Sequence, residues 1–401
     1  MYRPLTLLAL LSLVITPLRA ADEVARLHAL FDRTWERQLR DHPLFATSVG
    51  RHEYNDRLPS ITPQDLERHH GQNRAALAEL MAIDRSALPP AEVVNYEMFR
   101  RQLEDAIAGY ELGDYQIPIN ADSGFHTSFG RLPKQVPLST ARDYENYIAR
   151  LTAWPRYVRE QIAHMRTGLR RGMTVPRATL EGYDHTIAAH VVADPTASVF
   201  WEPFATFPSS VPAAEHERLR REGRLAVTEG AVAGYRQFLD FFRKEYLPGA
   251  RTTIGASELP EGRAYYRQKI REFTTLDLTP QQIHETGRAE VERISAEMTA
   301  VMKEAGFEGG FAAFLQFLRS DPRFYAKTAE ELLMRASRIA KRMDGKLPAL
   351  FKTLPRLPYT VEAVPPELAP KYTTGRYVSA PLGSTRPGIY WVNTYKLESR
   401  P

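Results

Sequence analysis

The 401-residue chain contains no cysteine. That absence excludes disulfides, thiolate nucleophiles and cysteine-ligated metals, and leaves His, Asp and Glu to bind any ion. Lysine is scarce, with ten lysines beside 43 arginines. The formal charge of +5 therefore comes from arginines that alternate with acids; Arg166, Arg170 and Arg171 form the densest group. No recognition module accompanies them, so nucleic acid is not expected as a partner. Long hydrophobic runs are missing too. The run from Leu5 to Ile15 is too short for an ordinary membrane span. Gly-x-Ser-x-Gly, the P-loop pattern and Gly-x-Gly-x-x-Gly are all absent.

The histidines approach a metal motif and miss it. "IHETGRAE", residues 283–290, opens with His284-Glu285, the first letters of the zinc-peptidase signature His-Glu-x-x-His, but Arg288 stands in the fifth place. Zinc needs neutral imidazoles four residues apart on one helix face, and arginine cannot replace one. Thr279-Pro280-Gln281-Gln282 predicts an N-cap, a first-turn proline and a capping box. His284 is then a hydrogen-bonding residue at a helix start or a contributor to a substrate groove, while Glu285 and Arg288 are spaced for an i,i+3 ion pair. His69 and His70 are adjacent and point apart. Glu181/His185 and His190/Asp194 are spaced for ligation, a spacing that chance often supplies. The residues yield no metal ligand and no complete catalytic constellation.

What is present begins with an address. Residues 1–20 carry Arg3, the apolar run, Pro17 and Ala20, the order of a secretory signal peptide cut after Ala20. A retained N-terminal anchor is the competing reading. With no cysteine following, a lipid-anchored lipoprotein is not expected. A cut chain would be periplasmic or secreted, with no stable membrane anchor.

The rest predicts a mainly α protein: a large helical domain over 21–350 and a Pro-rich segment with short strands over 351–401. Leu27, Leu30, Phe31, Trp35 and Leu39 share one helical stripe. Thr62-Pro63 starts a helix towards Ile83. Val93, Tyr96, Phe99, Leu103 and Ile107 face inward from a helix over about 90–110. Residues 140–169 are helical, with Pro155 as a kink or break. The stretch 213–246 ends in Tyr235, Phe238, Phe241, Phe242 and Tyr246, and these aromatic stripes read as core. Thr328 and Glu331 form a capping box. Segment 112–135 reads as a long loop that is functional or covers a groove. "TVEAVP" and "GIYWVNTYK" read as strands.

Four blocks resemble one bacterial family: "FDRTWERQLRDHPLFATSVGRHEYNDRLPS" (31–60), residues 246–298, "FLRSDPRFYAKTAEELL" (317–333) and "RPGIYWVNTYKLESRP" (386–401). They look like domain of unknown function 885. The resemblance implies a helical, zincin-like, exported metallopeptidase acting on peptides. The family's metal helix, His-Glu-Ala-x-Pro-Gly-His-His, begins shortly after the segment that reads "YWVNTYKLESRP" here. No position in this sequence matches it. The expectation is therefore the N-terminal portion of such a protein, with no cofactor in this chain and zinc in a full-length relative. The alternative is a non-catalytic periplasmic peptide-binding or scaffolding protein. An edge strand before the metal helix can pair with a peptide backbone. On that analogy Tyr390, Asn393, Thr394 and Tyr395 are the expected substrate contacts, with His284 beside them. Tyr265, Tyr266 and the loop around His126 are weaker candidates for a groove wall. The competing expectation packs the strand under the helical lobe, with Trp391 as core.

Overall fold

The computed structural model describes residues 6–380 and 385–400, without the side chains of 6–18. The leader read at 1–20 therefore lies largely outside the described side chains. Among the described residues no helix is long and apolar enough to cross a membrane.

Three apolar clusters organise the chain. The first joins helix α1 (Thr6–Asp41) to α2 (Pro63–Met81) and α3 (Pro90–Leu112) through Leu27, Leu30, Leu80, Ile83, Tyr96 and Leu103. Helical spacing places Leu27 and Leu30 inward, but Trp35 of the same predicted stripe is 40% exposed. Thr62 caps α2 as expected, accepting from the Asp65 amide. At the other end of α3, Gly113 adopts a left-handed φ of 84°, which favours glycine and stops the helix.

The second and largest cluster surrounds α4 (Ala141–Arg171), where Trp154, Tyr144, Tyr147 and Leu151 are buried. Pro155 does not break this helix. It lacks the N–H that would bond the Leu151 carbonyl, and Gly230 packs directly on that carbonyl; a Cβ at 230 would collide with it. The freed carbonyl is thus met by a glycine backbone from the facing element. That element is α5 (Ala213–Leu225) continuing through a π-helical turn, Ala226–Val232, into α6 (Ala233–Phe241). Each π turn takes an extra residue, so the predicted uninterrupted helix is instead rephased twice, at 226–232 and at Phe242–Tyr246. The rephasing keeps Tyr235, Phe238, Phe242 and Tyr246 all buried.

Segment 112–135 is not an open loop, though its end, residues 130–134, lines a cleft beside the sheet. It folds into short helical turns, Asp114–Gln116, Phe125–Phe129 and Leu132–Gln135, that plug the large cluster. Ile119, Phe129 and Leu132 are buried, and Phe129 stacks on Trp154 at 3.8 Å. Apolar side chains between the Gly and Pro residues make burial favourable, and the turns satisfy the backbone.

Four helices follow: α7 (Gly262–Thr274), α8 (Pro280–Glu304), α9 (Phe311–Ser320) and α10 (Ala329–Asp344). The third cluster belongs to a small sheet of β1 (Tyr359–Ala363), β2 (Gly375–Val378) and β3 (Gly388–Val392), in the order β1-β3-β2. β3 is parallel to β1 and antiparallel to β2. The mainly α architecture with a small β element near residue 400 is as the sequence predicts; β2, "GRYV", is the strand its pattern did not announce.

Candidate functional site

The order of the sheet overturns one expectation at once. β3 is the central strand, so its main-chain groups bond to β1 on one side and β2 on the other. It cannot pair with a peptide. The reason is the intervening "GRYV", which supplies the second partner. Among the described residues the outer edges of β1 and β2 receive no backbone hydrogen bond, and those are the edges open to an added strand.

Alternation along the strands sends side chains to two faces. Ile389 and Trp391 of β3 point with Val378 of β2 into the third cluster, against Val364, Leu368 and Tyr372. Tyr390 points to the other face with Tyr377 and Tyr359. Register sets Tyr377 opposite Tyr390, and the Tyr359 and Tyr377 rings meet edge-on at 6.4 Å. Gly388, opposite Tyr359, leaves the space that the Tyr377 hydroxyl occupies; a Cβ there would collide with it. Partial burial, with Asp344 nearby, pushes the Tyr359 hydroxyl's pKa up and keeps it a neutral donor.

This tyrosine face is the floor of a 580 Å³ cleft whose wall is α10. Leu332, Ala336, Ile339 and Met343 recur at helical spacing on that wall. Tyr377 remains 56% exposed, Ile339 59% and Met343 50%, so helix and sheet leave a groove between them. Arg335 and Arg400 stand at its margin. Arg335 is paired to Glu331 at 2.6 Å, and Arg400 donates to the Tyr395 carbonyl at 2.6 Å.

The expected contact residues divide. Tyr390 lines the tyrosine groove. Thr394 and Tyr395 open instead into a 510 Å³ cleft behind the sheet, with Trp391, Glu362, Glu367, Arg131 and Lys134. Burial holds the Arg131 guanidinium below its usual pKa. Asn393 borders the tyrosine groove but is fully buried and committed to the fold. Its amide donates to the carbonyls of Ala369 and Tyr372 at 2.8 and 3.0 Å, and its Oδ1 accepts from the Tyr395 amide at 3.0 Å. It pins the turn after β3 and has no donor left for a peptide.

His284 is exposed on α8 and lines neither cleft. The predicted Thr279/Gln282 capping box is formed. The predicted Glu285–Arg288 ion pair is not: Glu285 accepts from Gln281 Nε2 at 2.7 Å, one turn back. Of the loop around His126, Gly130, Arg131, Pro133 and Lys134 line the cleft behind the sheet, but His126 itself does not. It is fully buried, its Nε2 2.9 Å from Thr186 Oγ1, and desolvation lowers its pKa to about 3, with His190 adding to the shift. Tyr265 and Tyr266 border neither cleft beside the sheet. The residues that sequence reasoning missed are Tyr359, Tyr377 and the apolar stripe of α10. The stripe was legible as Leu332, Ala336, Ile339 and Met343; Tyr377 was hidden in a four-residue strand.

Among the described residues a divalent metal finds no suitable donor set: no group of three His, Asp or Glu side chains could hold one. Asp41, His42 and His69 lie together without making such a group. The His42 and His69 rings are 5.8 Å apart, and the Asp41 carboxylate that meets His69 Nε2 at 3.4 Å is shared with Arg68 at 3.4 Å and Arg40 at 3.9 Å. These residues do not fit zinc.

Two solved structures share the fold. One is titled "The crystal structure of the putative lipoprotein from Colwellia psychrerythraea" (TM-score 0.79, 19% identity, 94% of this chain and 69% of that one). The other is described as a "putative lipoprotein of unknown function" from Shewanella oneidensis (TM-score 0.56, 16% identity, 93% of this chain and 65% of that one). This chain thus spans about two thirds of the length of either. Comparison with curated proteins gives no match. Residues 43–401, nearly all of the helical lobe and the whole sheet, match the family described as "Bacterial protein of unknown function (DUF885)", and the chain belongs to that family.

Proposed function

We propose that this chain is the peptide-holding part of an exported, zincin-like protein, and that these 401 residues bind peptides without cleaving them. The observation that carries the reading is the tyrosine-floored groove beside an open strand edge. Apolar side chains of an extended peptide fit between α10 and the sheet, and its main chain meets the free edge of β2 beside Tyr377. Arg335 and Arg400 stand where carbonyls or a carboxylate would lie. The described residues do not fit zinc, and binding rather than hydrolysis is the role the groove supports. In this reading a hydrolytic relative draws its metal ligands from sequence beyond the residues described. The leader at 1–20 supports an exported, periplasmic or secreted, location.

The test is anisotropy of a labelled peptide library with the 401-residue chain. Peptides rich in apolar residues should bind saturably. Tyr377→Ala and Tyr390→Ala should each weaken binding about tenfold, near 1.4 kcal/mol. A chelator should leave binding unchanged, and no cleavage should appear. Binding indifferent to both tyrosines would rule the groove out.

A further inference from the structure

A cleft of 740 Å³ lies among α1, α2 and α3, and shares no lining residue with the clefts at the sheet. Its volume is within the range of small-molecule sites. Two aromatic pairs border it: Phe31 with Phe99, edge-on at 4.9 Å, and Trp35 with Phe45, edge-on at 5.6 Å. Phe31 and Phe99 pack against the first apolar cluster. Trp35 and Phe45 do not need to be there for packing, since they are 40% and 36% exposed.

The polar lining holds four primary amides, Gln38, Gln72, Asn73 and Gln102, beside the carboxylates Asp32 and Asp41, the guanidinium of Arg37, and Thr34, His42 and His69. Arg37 is already engaged, donating to Asn73 Oδ1 at 3.1 Å and the Gln72 carbonyl at 3.3 Å. One buried acceptor, Gln72 Oε1, has no hydrogen-bond partner, whereas His69 Nε2 faces Asp41 Oδ2 at 3.4 Å. A buried acceptor without a donor is costly, and this one belongs to a residue that lines the cleft.

We propose that this cleft binds a neutral saccharide. The apolar C–H face of a sugar ring stacks on the exposed Trp35 indole, while ring hydroxyls donate to Gln72 Oε1 and exchange hydrogen bonds with the surrounding amides. Hydroxyls both donate and accept, and so do amides. A quaternary ammonium is the rival, because aromatic rings also attract cations. Asp32 and Asp41 would attract it, but it neither donates nor accepts hydrogen bonds and leaves the four amides, Gln72 Oε1 among them, unanswered. A saccharide here and a peptide at the sheet would bind independently.

The experiment is tryptophan fluorescence and calorimetry on the full chain with chitotriose, maltotriose and cellotriose, and with tetramethylammonium as the counter-probe. At least one trisaccharide should saturate at millimolar concentration or below. Trp35→Ala and the near-isosteric Gln72→Leu should each weaken that binding at least about tenfold. The melting temperature of each variant is recorded beside it, and either folded variant suffices to decide. Three results overturn the proposal: no trisaccharide saturates, binding ignores a folded variant at either position, or tetramethylammonium alone binds.

Discussion

Two buried histidines tie the molecule's stability to acid. His126 and His190 sit among Tyr235, Phe200 and Phe238, and desolvation lowers them to about 3 and about 4. An unfolded histidine titrates near 6.5. Between that value and the folded one, the unfolded chain binds more protons, so stability present above pH 6.5 is lost as the pH falls towards 3. For His126 alone the loss by pH 4 is roughly 3 kcal/mol. His126→Leu should therefore flatten the acid limb of a plot of melting temperature against pH, even if it lowers the plateau by abandoning Thr186. An unchanged acid limb would contradict the assignment. Arg150 is a different case. It is fully buried without a carboxylate, and its guanidinium holds the carbonyls of Pro43, Tyr54 and Arg57 together with Thr47 Oγ1. Burial lowers its pKa to about 10, still well above neutrality. Nothing in the local sequence around Arg150 announces this; its partners are about a hundred residues away, and arginine at that helical position reads equally as a solvated side chain.

Helices were legible where a cap and a stripe coincide. Thr62, Thr140, Thr279 and Thr328 all accept from an amide three residues on. Thr328 forms only half of its predicted box, because Glu331 reaches back to the Lys327 amide instead. Pro155 does not break its helix, because its cost depends on what meets the freed carbonyl, and Gly230 lies 75 residues away in sequence. The two glycines Gly230 and Gly287 make a paired test. Gly230→Ala drives a Cβ into the α4 backbone and should cost roughly 3 kcal/mol. Gly287 on α8 has nothing within 4 Å of its would-be Cβ, so Gly287→Ala should raise stability by about 1 kcal/mol. Urea unfolding of the two variants measures both. Equal effects at the two sites would show that the α4–Gly230 contact is not close.

At the scale of the whole molecule, the three apolar clusters are separate, and the sheet cluster is the smallest. The class of the fold, helices followed by a few strands, followed from composition and periodicity. The strand order did not, because period-two patterning says which face a residue takes and nothing about which neighbour it takes. That single unknown decided the site: Tyr390 kept its groove, Thr394 and Tyr395 went behind the sheet, and Asn393 became a fold-pinning residue. Separate clusters predict separable unfolding. Ile389→Pro removes a β3 N–H and obstructs pairing. By hydrogen-exchange mass spectrometry, residues 359–363 and 375–378 should lose amide protection together, while 141–171 keep theirs. Loss confined to one of the two strands would show that β1 and β2 do not depend on β3.

β1 and β2 are not neighbours in the sheet; the strand partner of each is β3 alone. During synthesis both leave the ribosome before their shared partner exists. From Ala363 to Val392 is 29 further residues, a delay of roughly 1–6 seconds at typical elongation rates. For that interval the nascent chain holds two strands whose main-chain groups have no sheet partner, so this sheet closes only when β3 arrives.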